Sequence, residues 1–355
     1  MSANASTSPV PSATPGERAA APTGSAPAAA APMRRRRATI WRLITVLVVI
    51  VLPPLFFSGY WLFVAATVLA YGVATLGLEV LYGRTGQLSL AHASFMGVGA
   101  YTGYILSTRG QGLVVQLAAI VVVSLLMGAV VAVPTLRLSG LRLSLVTLAF
   151  GELFSWLVIQ NTELTGGTQG VAVDPLVIGP LDSSVPLYAY LIALVPAALA
   201  TLLVLHLGRT QLGRRMLLVR DSETAARSVG VGVATTKVVA FLVSAVLAGI
   251  AGWLYSVVAG FISPPDFNLF ASVYLFVAVI LGGAGSVLGA WLGAAYVVLV
   301  PQLFTLAGQP NLYPLVGGAV LAVVALLIPD GMVGLAKRVI RRRSSGGETP
   351  TGARA

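Results

Sequence analysis

The chain has 355 residues, 57% hydrophobic and 9% charged, with a formal net charge of +11 and a mean hydropathy of +0.91. A soluble globular domain carries about 25% charged residues, and disorder needs low hydrophobicity, so neither describes the bulk of the chain. Long continuous apolar stretches argue against a β-barrel, and the absence of cysteine excludes disulfides, iron–sulfur clusters and thiolate zinc sites; an all-α polytopic membrane protein remains.

Residues 1–38 read as a disordered Ala/Pro-rich N-terminal tail ending in Arg34 to Arg37. Met33 directly precedes that basic run, which makes it a candidate start. The arginines and the apolar run after them resemble the n- and h-regions of a signal peptide, but no small-x-small cleavage site follows. The run is therefore read as an uncleaved first span. A transmembrane domain is expected over 39–336, and a basic, disordered C-terminal tail over 337–355.

A span needs about 20 apolar residues. About ten segments qualify, at roughly 43–58, 61–81, 88–107, 113–135, 143–160, 187–207, 238–260, 271–284, 287–305 and 313–329, some of them short or Gly-broken. Merging the eighth and ninth into one bent element would give nine. Charge separates the two counts. With ten spans and both termini cytoplasmic, 19 of the 22 basic residues lie on the inner side, among them Arg84, Arg137, Arg142 and the cluster from Lys337 to Arg343. Nine spans put that last cluster outside, against the positive-inside rule. The external loop near 161–186 carries three acids and no Lys or Arg.

In chain order, Gly86–Gly103 interleaves glycines with Gln87, Ser89, His92 and Ser94. Polar groups and broken helix at membrane depth require protein or a water-filled cavity around them. Gln87, Ser89, His92 and Glu152 are the candidate translocation-path residues. His92 has a hydrogen-bonded packing role as its alternative, and mid-span Glu152 has protonation or pairing with His92 or Arg142. Glu79, near the inner end of the second span, is read as reaching the membrane interface. A second Gly-rich segment lies at Gly282–Gly293, where Gly285, Gly289 and Gly293 also fit close helix packing. Gly-interrupted spans in both halves point to a substrate path near the repeat interface. The histidines show no metal-ligand spacing, and neither Lys237 nor Lys337 follows a glycine, so there is no Walker A loop. The chain is expected to be no enzyme, with no catalytic residue, metal or cofactor of its own; if transport here uses ATP, another subunit must supply the site.

The cytoplasmic loop at about 208–237 contains a predicted two-turn helix. Asp221 or Ser222 can cap it, the early acids suit its positive end, and Gly230 stops it. A solvated linker turn is the alternative.

Ala225-Ala226-Arg227-Ser228-Val229-Gly230 resembles the core of the EAA loop of bacterial ABC importer permeases, with the acid at Glu223 one residue earlier than the family places it. Thr85–Tyr101, Leu141–Glu152, Leu164–Gly170 and Leu281–Gly285 stand in order with it. The series, over about 60–335, is similar to the M-type permease of the branched-chain amino acid (Liv-type) ABC importers, with the urea-importer permease a close relative. The resemblance implies a coupling helix to an ATPase around Asp221, Ser222, Glu223, Ala225, Ala226 and Gly230. It also implies a second, H-type permease, two ABC ATPase subunits, an extracellular solute-binding protein and a bacterial inner or plasma membrane, with no nucleic acid. Branched-chain or other small amino acids are the expected cargo; urea or short amides fit the same apolar path. A stand-alone carrier or channel would leave the cytoplasmic loop unexplained.

Overall fold

The computed structural model describes residues 58–135, 140–309, 312 and 331–332. The expected first span, tenth span and both tails lie outside the described residues. Ten helices organise the rest. They are α1 (Gly59–Leu78, continued by a π-helical turn, Glu79–Gly83), α2 (His92–Thr108), α3 (Leu113–Thr135), α4 (Leu141–Gln160) and α5 (Pro186–Leu207). After them come α6 (Gln211–Asp221), α7 (Glu223–Ser228), α8 (Val233–Ala259), α9 (Leu269–Gly282) and α10 (Val287–Leu306). Among the described residues, six helices are long and apolar enough to cross a membrane: α1, α3, α4, α5, α8 and α10. The protein is a helical multi-pass membrane protein. α2 and α9, with 17 and 14 residues, are the short members.

The core is built on α8, which packs against α1, α2 and α3. In lipid, helix association rests on van der Waals fit rather than on burying apolar surface, so small residues sit where helices meet. A Cβ on Gly99 would collide with the carbonyl of Gly249, and one on Gly252 with that of Met96. α2 and α8 run parallel through this seam, since Gln87 reaches the carbonyl of Lys237 and Gly103 abuts Trp253. Between α9 and α10 the contacts run in opposite order. Gly289 closes on Gly282 and Gly293 on Ala278, which makes the two an antiparallel hairpin. The bent-element alternative is thereby corrected: Gly283 and Gly285, at φ +107° and +94°, reverse the chain between two separate helices.

The breaks in 88–107 are also fewer than its glycines suggest. The chain is irregular only from about 86 to 91, where Gly86 takes φ +71°. From His92 onward Gly97, Gly99 and Gly103 sit in unbroken helix, packed on Phe154, Gly249 and Trp253.

The loops gather at two ends. At one, residues 161–186 form a compact cap. Val171–Ala172 (β1) pairs antiparallel with Phe261–Ile262 (β4), and Val177–Ile178 (β2) with Leu181–Asp182 (β3). Asp266 closes the neighbouring turn by accepting from the backbone N–H and the hydroxyl of Ser263. At the other end lie the π-turn, the irregular stretch after it, α6, α7 and the α9–α10 turn.

Candidate functional site

The second end holds the polar chemistry. α6 starts at Thr210, whose hydroxyl accepts from the Gly213 N–H at 3.2 Å. It buries Gly213, Met216 and Val219, a spacing of three that gives one apolar stripe, and leaves Arg214 and Arg215 exposed. The sequence reading missed this helix and offered Asp221 or Ser222 as the cap of the next one; Asp221 is instead the last residue of α6. Ser222 is the cap of α7, accepting from the Ala225 N–H at 3.2 Å. α7 ends at Ser228, and Gly230 at φ +78° turns the chain toward α8. α8 begins at Val233, earlier than expected, because Val233 packs with Val219 and Ala226 in a small satellite core.

α7 is thus pinned on one side and open on the other. Ala226 is buried, while Thr224, Ala225, Arg227 and Val229 face away from the rest of the chain. Glu223 pairs with Lys237 of α8 at 2.5 Å and with Arg227 at 3.7 Å. Lys237 is 6% exposed. No local pattern marks this pair, whose members lie 14 residues apart.

Of the four path candidates, three lie together inside the protein. Gln87, Ser89 and His92 are buried. The Gln87 amide donates to Thr85 Oγ1 at 2.9 Å and to the Lys237 carbonyl at 3.2 Å. His92 Nε2 lies 2.8 Å from the carbonyl oxygen of Ala74 in α1. The irregular backbone around them finds partners on α4, with the Leu90 N–H donating to Thr147 Oγ1 and the Ser144 hydroxyl to the Leu88 carbonyl. Non-helical backbone at this depth requires such partners. Glu152 is elsewhere, on the outward face of α4 beside exposed Leu153 and Trp156. It pairs with neither His92 nor Arg142: among the described residues the ion pairs are those of Glu223.

Glu79 corrects its expectation. It is fully buried rather than at an interface. Its carboxyl folds over Gly83, where a Cβ would collide with it, and Oε2 accepts the N–H of Gly285 at 2.9 Å. A hydrophobic-run reading could not find this contact, because it depends on a π-turn and on a partner 206 residues away. Among the described residues, no cluster of three or more His, Cys, Asp or Glu side chains could hold a metal ion.

Comparison with known proteins gives one consistent family. The family model for "Branched-chain amino acid transport system / permease component" matches residues 60–325. The high-affinity branched-chain amino acid transport system permease protein LivM of Salmonella typhimurium is 30% identical, over 85% of this chain and 76% of that protein. LivH of Escherichia coli, from a transport system of the same printed name, is 22% identical over 74% of this chain and 91% of that protein. The autoinducer 2 import system permease protein LsrC of Klebsiella pneumoniae matches a shorter stretch, 33% identical over 35% of this chain and 38% of its own length. No solved structure matches.

Proposed function

The chain belongs to the family of permease components of branched-chain amino acid transport systems, and from that premise we propose that it is the M-type membrane subunit of an ATP-binding-cassette importer. Its cargo is a branched-chain or other small amino acid, carried across a bacterial inner or plasma membrane. Ten spans leave both termini in the cytoplasm, and the end that holds α6 and α7 faces inward. The positive-inside count supports this orientation.

The observation that carries the reading is the state of α7: capped, held by an ion pair, and, among the described residues, exposed along the face that holds Thr224, Ala225 and Arg227. Such a helix is a rigid knob for a groove on another subunit. Two ATPase subunits occupy that role and bind ATP and Mg, for which this chain has no Walker A loop. Asp221, Ser222, Glu223, Ala225, Ala226 and Gly230 form and position the knob. A solute-binding protein docks on the opposite end, where residues 161–186 form a folded cap rather than a slack loop.

A second permease, of the H type, covers α4. A mid-span carboxyl facing lipid is costly, and Glu152 on the open face of α4 is consistent with a path or an interface between the two permeases. Gln87, Ser89 and His92 lie on the other side, buried within the protein. A zwitterion with an apolar side chain suits a path with few polar groups, and selection among such solutes rests with the binding protein.

The test uses proteoliposomes containing the full transporter and measures ATP-driven uptake of radiolabelled leucine. Ala225→Arg places an uncompensated charge in the docking face. It is expected to cost about 2 kcal/mol or more of subunit association, roughly a 30-fold loss of affinity, with uptake falling in step. Uptake at the wild-type rate by an assembled Ala225→Arg transporter would sink the docking role of α7.

A further inference from the structure

We propose that the π-helical turn Glu79–Gly83 is the mechanical junction through which displacement of α6 and α7 reaches the membrane helices, with Glu79 and Arg220 as its positioning residues. The inference rests on the importer reading for what moves α7, but the junction itself is a property of this chain.

Three contacts from three different elements converge on these five residues and the arginine after them. The Arg220 guanidinium, at the end of α6, donates to the carbonyl oxygen of Gly83. The Glu79 carboxyl accepts from the Gly285 N–H in the α9–α10 turn at 2.9 Å. Arg84 donates to the Val204 carbonyl at the end of α5, 3.1 Å away. The same places are closed sterically. A Cβ on Gly285 would stand 3.2 Å from Arg220 Nη1, and one on Gly208 2.5 Å from Arg84 Nη1. One short segment therefore touches α5, α6 and the α9–α10 hairpin while continuing α1.

The turn has the makings of a movable part. A π-turn carries i→i+5 bonding within an α-helix and recurs at functional sites. It lies in the last turn before the chain leaves the helix, where carbonyls lack intrahelical donors, which leaves Gly83 O open to Arg220. Among the described residues, buried Glu79 Oε1 has no hydrogen-bond partner. A buried acceptor without a donor is costly, and the cost is removed if the carboxyl regains a donor when the junction shifts. α7 is tied to α8 by Glu223–Lys237, and the Lys237 carbonyl takes the Gln87 amide just beyond the turn. A pull on α6–α7 is thus delivered at two points of the segment 79–87, one through Arg220 and one through Lys237. Coupling between distant sites travels through contiguous packed and hydrogen-bonded elements of this kind.

Two readouts test the proposal. In the full transporter, Arg220→Ala is expected to assemble and to hydrolyse ATP within about twofold of wild type, while leucine taken up per ATP falls roughly tenfold. Arg220→Lys, which retains a donor, recovers part of the ratio. The second readout needs no transport. The chain lacks cysteine, so Leu217→Cys and Leu288→Cys, at exposed positions of α6 and α10, carry spin labels alone. Their distance distribution is expected to be narrow with Glu79 and Arg220 present, and to broaden in Arg220→Ala and in Glu79→Leu. An unchanged distribution, or an unchanged leucine-to-ATP ratio in an assembled Arg220→Ala complex, overturns the proposal. Absence of ATP-driven uptake by the wild-type complex would instead remove the importer reading, and the label distances would still judge the junction.

Discussion

Glu223 and Lys237 carry unequal risks within one ion pair. Lys237 is almost enclosed, whereas Glu223 is partly open to solvent. Removing the acid strands a buried ammonium, while replacing both partners by uncharged groups of similar shape removes the need for pairing. Glu223→Gln is expected to raise hydrogen exchange over 222–229, by the equivalent of about 1–3 kcal/mol of local stability. Adding Lys237→Met should return much of that protection. Equal exchange in the wild type and Glu223→Gln would mean that the pair does not hold α7. At this scale the sequence was legible where chemistry is local. Ser222 caps because its side chain lies three residues before the N–H it accepts from, and Gly230 turns because no Cβ opposes positive φ. Glu79, Arg220 and Lys237 were not legible as a set, since their partners are backbone atoms and side chains brought near only by the fold.

Helix seams place a sharper demand than helix length. At Gly99 and Gly252 backbone meets backbone, so no rotamer change can make room for a side chain. Overpacking a well-fitted core costs about 1–3 kcal/mol, occasionally more, and a rigid backbone neighbour puts these two positions at the upper end. Gly99→Leu or Gly252→Leu is expected to lower the thermal midpoint of the detergent-purified protein sharply or to abolish its monodisperse peak. Gly59→Ala and Gly112→Ala, which face open space, should leave both unchanged; equal behaviour of the two pairs of variants would contradict the seam. The apolar runs located eight apolar helices within the described residues, six of them long enough to cross a membrane, because a long apolar run with few charges has one stable form in lipid. They did not show α6. Its three buried residues repeat every third position over only two turns, and arginines interrupt the hydropathy. Nor could they separate glycines that break a helix from glycines that pack one, since both look alike without the opposing chain.

On the scale of the whole molecule, the directions of the described helices sort the loops to two ends. α2 and α8 run parallel, α9 and α10 antiparallel, and α10 runs antiparallel to α1 through Thr75 with the Ala290 carbonyl and Tyr60 with Gln302. That alternation brings 84, 208–232 and 285 to one end, the end that the positive-inside rule assigns to the cytoplasm, and leaves 161–186 and 261–268 at the other. The two ends are therefore available for different partners, and the outward apolar faces of α3, α4, α5 and α10 remain for lipid or a second permease. The most direct measurement is a native pull-down of the C-terminally tagged chain in mild detergent, with mass spectrometry of what accompanies it. Walker-A-containing ATPases and a second permease in stable stoichiometry are the predicted result. A chain that emerges alone, stable and monodisperse, with ion-driven flux that depends on Glu152, would contradict the assignment to an ATP-powered importer.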